Sequence, residues 1–518
     1  MRGRRERVMA LTMVVLLTGL LSNAPVALAI EPPSVDPALV PPDDTPGPEQ
    51  PMRQSNVCAS AVTVAEPNVG LPAPGFTMLD VSRAWQFSTG NGVPVAVIDT
   101  GVNPNPRLPV VPGGDYIMGG DGLSDCDAHG TVVASLISAA PLGAPMPAPL
   151  PPTPAFPAPA GGPPVGGPPA PAIGIDPPSS SGLPEAPPPA VPPPLDQPPP
   201  PVLSDGVAGV APHATVISIR QSSRAFEPEI PVGGDIEARR KAGTVSTLAR
   251  AIVHAANMGA KVINVSVTAC VSAADPLDQR SIGAAVWYAA TVKDAVVVAA
   301  AGNEGEDGCV QNPVFDPLDT DDPRDWRHVK TVSSPSWFSD YVLSVGAVDT
   351  TGAPLGKSLA GPWVDAAAPG VAIMGLSSQN GGPVNAYPPV RPGEKDIPFW
   401  GTSFSAAYVS GVAALVRAKY PELTAHQVIN RILQTAHNPA RGVDNQVGYG
   451  VVDPVAALTF DVPPGGRVAP ESQTRVLTPQ PPPPPPDHRA RTVAMLFAGV
   501  VATGVISASL VARARRAR

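Results

Sequence analysis

Charge is scarce in this chain. Only 15% of its 518 residues are Asp, Glu, Lys or Arg, with a formal net charge of −9. Outside the two termini the longest Lys/Arg run is three residues, Arg239 to Lys241, so the chain has no extended basic face to offer a phosphate backbone, which argues against nucleic-acid binding. Cysteine is scarcer still: there are four, and none of their spacings forms the Cys-x-x-Cys of a zinc knuckle, so in an exported chain two disulfides are favoured over a metal site. The N-terminal apolar run, Val8 to Leu21, falls short of the ~20 residues that a membrane span needs.

Proline and glycine, in contrast, are abundant: 73 and 49 residues. Much of the chain is therefore not packed structure, and the folded part is shorter than the whole. Pro141 to Pro201 holds 27 prolines in 61 residues and suits neither a helix nor a sheet interior, so residues 141–205 read as an inserted loop. A second proline-rich stretch, with six consecutive prolines at Pro481 to Pro486, makes residues 463–491 a semi-rigid stalk. A third, residues 30–74, reads as an extended arm.

Both ends carry targeting patterns. "MRGRRER", an apolar run and a terminal "ALA" make residues 1–29 a secretory signal, with cleavage expected after Ala29. Thr492 to Ala512 is 21 residues without a charge, enough for one transmembrane helix. Arg513, Arg515, Arg516 and Arg518 follow it, against Arg489 and Arg491 before it. The asymmetry places the tail, residues 513–518, in the cytoplasm and residues 30–491 outside.

Between arm and stalk, residues 75–462, apolar strand patterns alternate with helical ones. "VPVAVIDTGV" (Val93 to Val102), "HATVISIR" (His213 to Arg220), "AKVINVSV", "DAVVVAAAGN" and "DYVLSVGAV" (Asp340 to Val348) read as buried strands. Asp127 to Ala140, Thr244 to Met258, Ser281 to Thr291 and Thr424 to Ala436 read as helices. This alternation predicts a doubly wound α/β fold with a mainly parallel sheet, whose functional residues sit at the C-terminal strand ends. Cys270 and Cys309 each follow an apolar strand pattern, so of the three possible connectivities we expect Cys270–Cys309, which leaves Cys58–Cys126.

"GTSFSAAYVSGVAALV" places Ser403 before a helix apolar nearly all round. Such a serine is either a helix cap or a nucleophile. A nucleophilic hydroxyl needs an imidazole to take its proton and a carboxylate to hold that imidazole. Asp99 at a strand end and His129 at a helix start supply both, in the chain order Asp, His, Ser. "VAVIDTGV", "DAHGTVVAS" and "GTSFSAAYVSGVAAL", joined by "GVAGVAPHATVISIR" and "AAAGNEG", resemble five blocks of the subtilisin-like serine proteases over about Val81 to Leu458. The resemblance implies a subtilisin-like fold and peptide or protein substrates; no cofactor or metal is expected from the residues. It also implies Asn303 as the side-chain donor of an oxyanion hole, and Ser266, Val267 and Thr268 as partners of the substrate backbone, with an ordinary core strand as the alternative reading of those three residues.

Two departures from that pattern stand out: Ala407 where most relatives have proline, and Thr268 and Ala269 where the substrate strand usually has glycines. The second implies a narrower cleft. His213 and His254 read as structural or solvent-facing, and Asp127 as a loop or helix-start acid, with a substrate subsite as the alternative. The acidic stretch Asp316 to Asp325 reads as a solvated loop rather than a calcium site. The overall layout, with "VPGGDYIMGGDGLSDCDAHGT", "ARAIVHAANMGAKVINVS" and "GVDNQVGYGVVDP", resembles the mycosins, membrane-anchored proteases of mycobacterial type VII (ESX) secretion systems. That resemblance implies an inner-membrane location with the protease domain on the periplasmic side, ESX membrane-complex subunits as partners, and an arm that wraps the protease domain without inhibiting it.

Overall fold

The β-branched run before Asp99 forms a strand, β1 (Pro94–Asp99), buried along almost its whole length. Alternate side chains of such a strand face opposite sides of a sheet. Val95 and Val97 join one apolar cluster, Ala96 and Ile98 the other. Six further strands extend the sheet: β2 (Val110–Asp115), β3 (Thr215–Arg220), β4 (Val262–Val265), β5 (Val296–Ala300), β6 (Val342–Val348) and β7 (Ala366–Pro369). Their spatial order is β7-β6-β5-β4-β1-β3-β2, and every pairing is parallel. The chain runs outward from β1 to one edge and then restarts on the other side of it, so the switch point lies beside β1. In open parallel sheets the crevice at that point, beyond the carboxyl ends, is where ligands bind.

The computed structural model describes residues 30–143, 205–230 and 243–469, apart from 275–277, 307, 315–325, 327, 390, 392 and 441, together with residues 503, 505 and 507–516. Helices α1 (His129–Ser138), α4 (Thr402–Lys419) and α5 (Ala425–Gln434) cover one face of the sheet, and α2 (Val245–Asn257) and α3 (Arg280–Trp287) the other. Helix α4 is buried from Thr402 to Arg417, which its all-round apolar sequence requires. Capping boxes start α2 (Thr244 with Thr247) and α5 (Thr424 with Gln427). The doubly wound α/β expectation is met.

Two strands of this sheet were not legible in the sequence, and both lie at its edges. β2 contains Pro112, Gly113 and Gly114, residues that a central strand excludes, and its register shifts between Pro112 and Asp115. β7 is three alanines and a proline, with little intrinsic strand preference.

The arm lies against the folded unit at several points. A short strand, Met52–Gln54, pairs antiparallel with Phe226–Pro228, and Val62 bridges to Ala386. Asp43 accepts from His254 at 2.7 Å and from Asn257 at 2.9 Å, on helix α2. The disulfides Cys58–Cys126 and Cys270–Cys309 are those expected. Arg107 gathers the two ends of the inserted segment: it donates to the Ala140 carbonyl, to both carboxylate oxygens of Asp205 and to the Val207 carbonyl. Residues 463–467, where the stalk was expected to begin, accept hydrogen bonds from Thr424, Gln427 and Asn430.

The expected signal segment, residues 144–204 of the insertion, the acidic stretch Asp316 to Asp325 and residues 470–491 of the stalk lie outside the described residues. Of the apolar stretch Thr492 to Ala512, residues 503, 505 and 507–512 are described, and they are helical. Among the described residues, no helix is long and apolar enough to cross a membrane.

Candidate active site

Asp99 ends β1 at the switch point and is fully buried. Its Oδ1 accepts from the Thr100 N–H at 2.7 Å and lies 2.7 Å from Nδ1 of His129. His129 is the first residue of α1, so the helix start presents the ring to the strand end. The approach is too close for a side chain at Gly130: a β-carbon there would stand 2.1 Å from the Gly101 carbonyl oxygen and 3.1 Å from Asp99 Oδ1. Glycine after the histidine is thus a packing requirement of the pair.

A second carboxylate fastens both carriers. Asp125, buried, accepts from the Thr100 hydroxyl at 2.8 Å, from the Thr131 hydroxyl at 2.7 Å and from the Thr131 N–H at 2.8 Å. It therefore ties the residue after Asp99 to the first turn of α1. Burial raises the Asp125 pKa to about 6, against the lowering effect of those hydrogen bonds. At His129, burial disfavours the imidazolium, but the charge and hydrogen bond of Asp99, with the charge of Asp125, outweigh it, and the pKa is raised.

Ser403 is the second residue of α4, and the N-cap is Gly401, which makes no side-chain capping bond. The capping explanation for this serine therefore falls. Its hydroxyl donates to the Ser266 carbonyl at 2.9 Å, and the Ser266 hydroxyl donates back to the Ser403 carbonyl at 3.2 Å. Beneath them, Asn264 donates to the Ser266 hydroxyl and accepts from Ser410, so a buried polar ladder joins β4 to α4. The ring of Phe404, next to Ser403, lies 5.2 Å from the His129 ring. Serine and histidine are thus brought to one place from positions far apart in the chain. No hydrogen bond joins them in this structure, which is common before substrate binds. Val267 and Thr268 follow Ser266, half-buried, beyond the end of β4.

Asn303 stands just past the end of β5. Its Oδ1 accepts from the Thr402 N–H at 3.0 Å and from the Thr402 hydroxyl at 3.1 Å, which fixes the amide with its Nδ2 turned outward. Nδ2 donates to Glu306 at 3.2 Å. Asp125, Thr402, Asn264 and Glu306 were not singled out in the sequence. A lone acid or amide inside a motif block carries no periodic signal.

Of the residues read as ordinary, His213 bonds Thr89 at 2.8 Å and His254 bonds the arm. Asp127 accepts from the Ser223 hydroxyl and the Arg224 N–H, shaping the segment after β3.

A donor–base–hydroxyl set on one crevice is the equipment for acyl transfer, and known proteins agree with that chemistry. Residues 90–450 match the model of the subtilase family, Peptidase S8. The chain is similar to Mycosin-2 of Mycobacterium tuberculosis, at 65% identity over 99% of this chain and 98% of that one. It is also similar to Mycosin-5 of the same organism, at 50% identity over 90% and 89%. Among solved structures, the crystal structure of MycP1 from Mycobacterium smegmatis shares 42% identity and a TM-score of 0.70, covering 85% of this chain and 98% of that one. A chain of an intact ESX-5 inner membrane complex shares 47% identity and a TM-score of 0.69, covering 93% and 99%. With a subtilase match over most of its length and a mycosin similar from end to end, the chain belongs to the mycosins, within the subtilase family of serine peptidases.

Proposed function

We propose that the chain is an extracytoplasmic serine endopeptidase in which Ser403 is the nucleophile, His129 its general base and Asp99 the group that orients His129. The observation that carries this reading is the buried 2.7 Å Asp99–His129 pair at the switch point. Asp99 holds Nδ1 protonated, so Nε2 is the basic nitrogen. The Ser403 hydroxyl turns from the Ser266 carbonyl to Nε2, loses its proton there and attacks the scissile carbonyl. The oxyanion is received by Asn303 Nδ2 and the Ser403 N–H, near the positive end of α4. The imidazolium then protonates the leaving amine, and water hydrolyses the acyl-enzyme by the reverse path. Ser266, Val267 and Thr268, which follow the end of β4 beside Ser403, are assigned to pairing with the substrate backbone.

The location follows from the termini. Residues 1–29 serve as the export signal and Thr492 to Ala512 as a single membrane anchor, with the protease domain on the periplasmic side. Similarity to a chain of the ESX-5 inner membrane complex supports membership of a type VII secretion complex. A fluorophosphonate probe tests the chemistry: wild type should label and Ser403→Ala should not. Labelling of both, or of neither, removes the assignment.

The same similarity favours a second reading, in which the chain also holds the complex together. Ser403→Ala removes one oxygen from a crevice and leaves the outer surface unchanged. The point mutant should therefore assemble and export, whereas deletion of the chain should not. If the point mutant loses the complex on native gels as fully as the deletion does, the scaffold role fails.

A further inference from the structure

The turn after β5 places a carboxylate where the oxyanion donor points. Glu306 Oε2 accepts the Asn303 Nδ2–H at 3.2 Å, and the same oxygen lies 3.8 Å from Nη2 of Arg224. Arg224 follows β3, and Glu306 follows β5. In the sheet order, the carboxyl ends of β1 and β4, with Asp99 and Ser266, lie between them. At ~4.8 Å per strand the two loops stand roughly 14 Å apart at their strand ends, so the ion pair spans the crevice.

Neither partner is loosely placed at its backbone. The Glu306 N–H donates to the Asn303 carbonyl at 3.1 Å, the Cys309 N–H donates to the Glu306 carbonyl at 2.8 Å, and Cys309 is disulfide-bonded to Cys270. On the other side, Asp127 accepts the Arg224 N–H at 2.7 Å, and Asn56 of the arm donates to the Arg224 carbonyl at 2.9 Å. The side chains themselves are open to water, Arg224 80% exposed and Glu306 37%. Such a contact is weak and easily exchanged.

We infer that Glu306 is a built-in competitor of the oxyanion, occupying the Asn303 amide in the resting enzyme and held across the crevice by Arg224. The inference rests on the oxyanion role proposed for Asn303. A negative charge at this position opposes the charge that develops in the transition state and withholds one of its two donors. Substrate entry must first part Asn303 from Glu306. The Ser403 hydroxyl is withheld in the same resting state, since it donates to Ser266. Glu306 therefore sets how fast the site can be engaged, without taking part in proton transfer.

The test is the second-order rate of labelling by a small fluorophosphonate, whose phosphoryl oxygen occupies the oxyanion position and which requires no knowledge of the natural substrate. Glu306→Ala should label about 2- to 12-fold faster than wild type, the worth of one intramolecular hydrogen bond given up. In an Asn303→Ala background the same change should bring a distinctly smaller gain, because the donor it releases is gone and only the removal of the opposing charge remains. Glu306→Gln keeps the shape of the turn and loses the charge, so it should also label faster, by a smaller factor; it carries the test if the alanine variant does not fold. Unchanged or slower labelling by folded Glu306 variants, with Asn303→Ala slow, overturns the competitor role alone. Asn303→Ala labelling as fast as wild type overturns the oxyanion role and this inference with it. An equal gain in both backgrounds also overturns the inference, since Glu306 then acts on something other than Asn303.

Discussion

His129 sits where two effects oppose each other. Burial favours the neutral ring, and the paired Asp99 favours the charged one; the second prevails, raising the pKa above its ordinary ~6.5. A general base must be neutral to accept a proton. As pH falls through the raised pKa, kcat/KM should therefore fall, with an acidic limb centred above ~6.5. Asp99→Asn removes the favourable charge and leaves the burial, so the residual activity should show its limb moved to lower pH. A pH–rate profile of wild type and variant on one peptide checks both statements. At Asn303, replacement by alanine should lower kcat by roughly 10² to 10³ with little change in KM, because the amide acts on charge that develops only in the transition state. Steady-state kinetics on that peptide would retire the assignment if kcat were unchanged.

Among the elements, α4 is the one on which the site depends. It crosses the core buried from Thr402 to Arg417, with Gly411 facing Val210 at close range. A β-carbon at Gly411 would lie 2.5 Å from Val210 Cβ. Alanine in a helix interior gains roughly 0.5–1 kcal/mol over glycine, but forcing a methyl into a packed core costs typically ~1–3 kcal/mol. Gly411→Ala should therefore destabilise by about 1 kcal/mol, read as a lower denaturant midpoint. A rise in the midpoint would mean that α4 can shift away from Val210. The clamp between β1 and α1 behaves differently. Asp125→Ala leaves the Thr100 and Thr131 hydroxyls and the Thr131 N–H without their acceptor, at ~1–3 kcal/mol for each buried group that water does not reach. The melting temperature should fall by several degrees, and kcat should fall with it as Asp99 and His129 lose their common support.

For the whole molecule, the inserted segment and the arm are attached in different ways. The insertion closes on Arg107, and beyond it Gly209 donates to the Ala139 carbonyl at 2.8 Å, so the two flanks are already joined without the intervening chain. Replacing residues 144–204 by a short linker should leave the melting temperature within a few degrees. Arg107→Ala, which removes hydrogen bonds between charged and polar groups at a half-buried site, should cost about 2 kcal/mol. A large drop on excision, with little effect of Arg107→Ala, would reverse that assignment. The arm is held by Cys58–Cys126, a bridge over 68 residues, in addition to its polar contacts. Closing a loop of that length is worth about 4 kcal/mol in the chain-entropy description. The double serine variant should therefore lose up to about that much, and its arm should be cut faster in limited proteolysis.

How much of this was legible depended on whether a feature repeats along the chain. The central strands and helices of the α/β core follow from hydrophobic patterning, because each buries an apolar face whatever its neighbours are. Asp99, His129 and Ser403 could be picked out as an acid, a base and a nucleophile in order, since hydroxyl chemistry needs all three residue types. The edge strands β2 and β7 could not, because an edge accepts Pro, Gly and Ala that a central strand rejects, and only the neighbouring strand makes them strands at all. The same holds at the site. The direction of the Asn303 amide is set by Thr402, ninety-nine residues away, and its meeting with Glu306 and Arg224 by the order of β3, β1, β4 and β5. Residue types and local periodicity determined which groups could do chemistry. Which groups face one another was decided by the strand order, since contacts across a parallel sheet join segments that no local pattern relates.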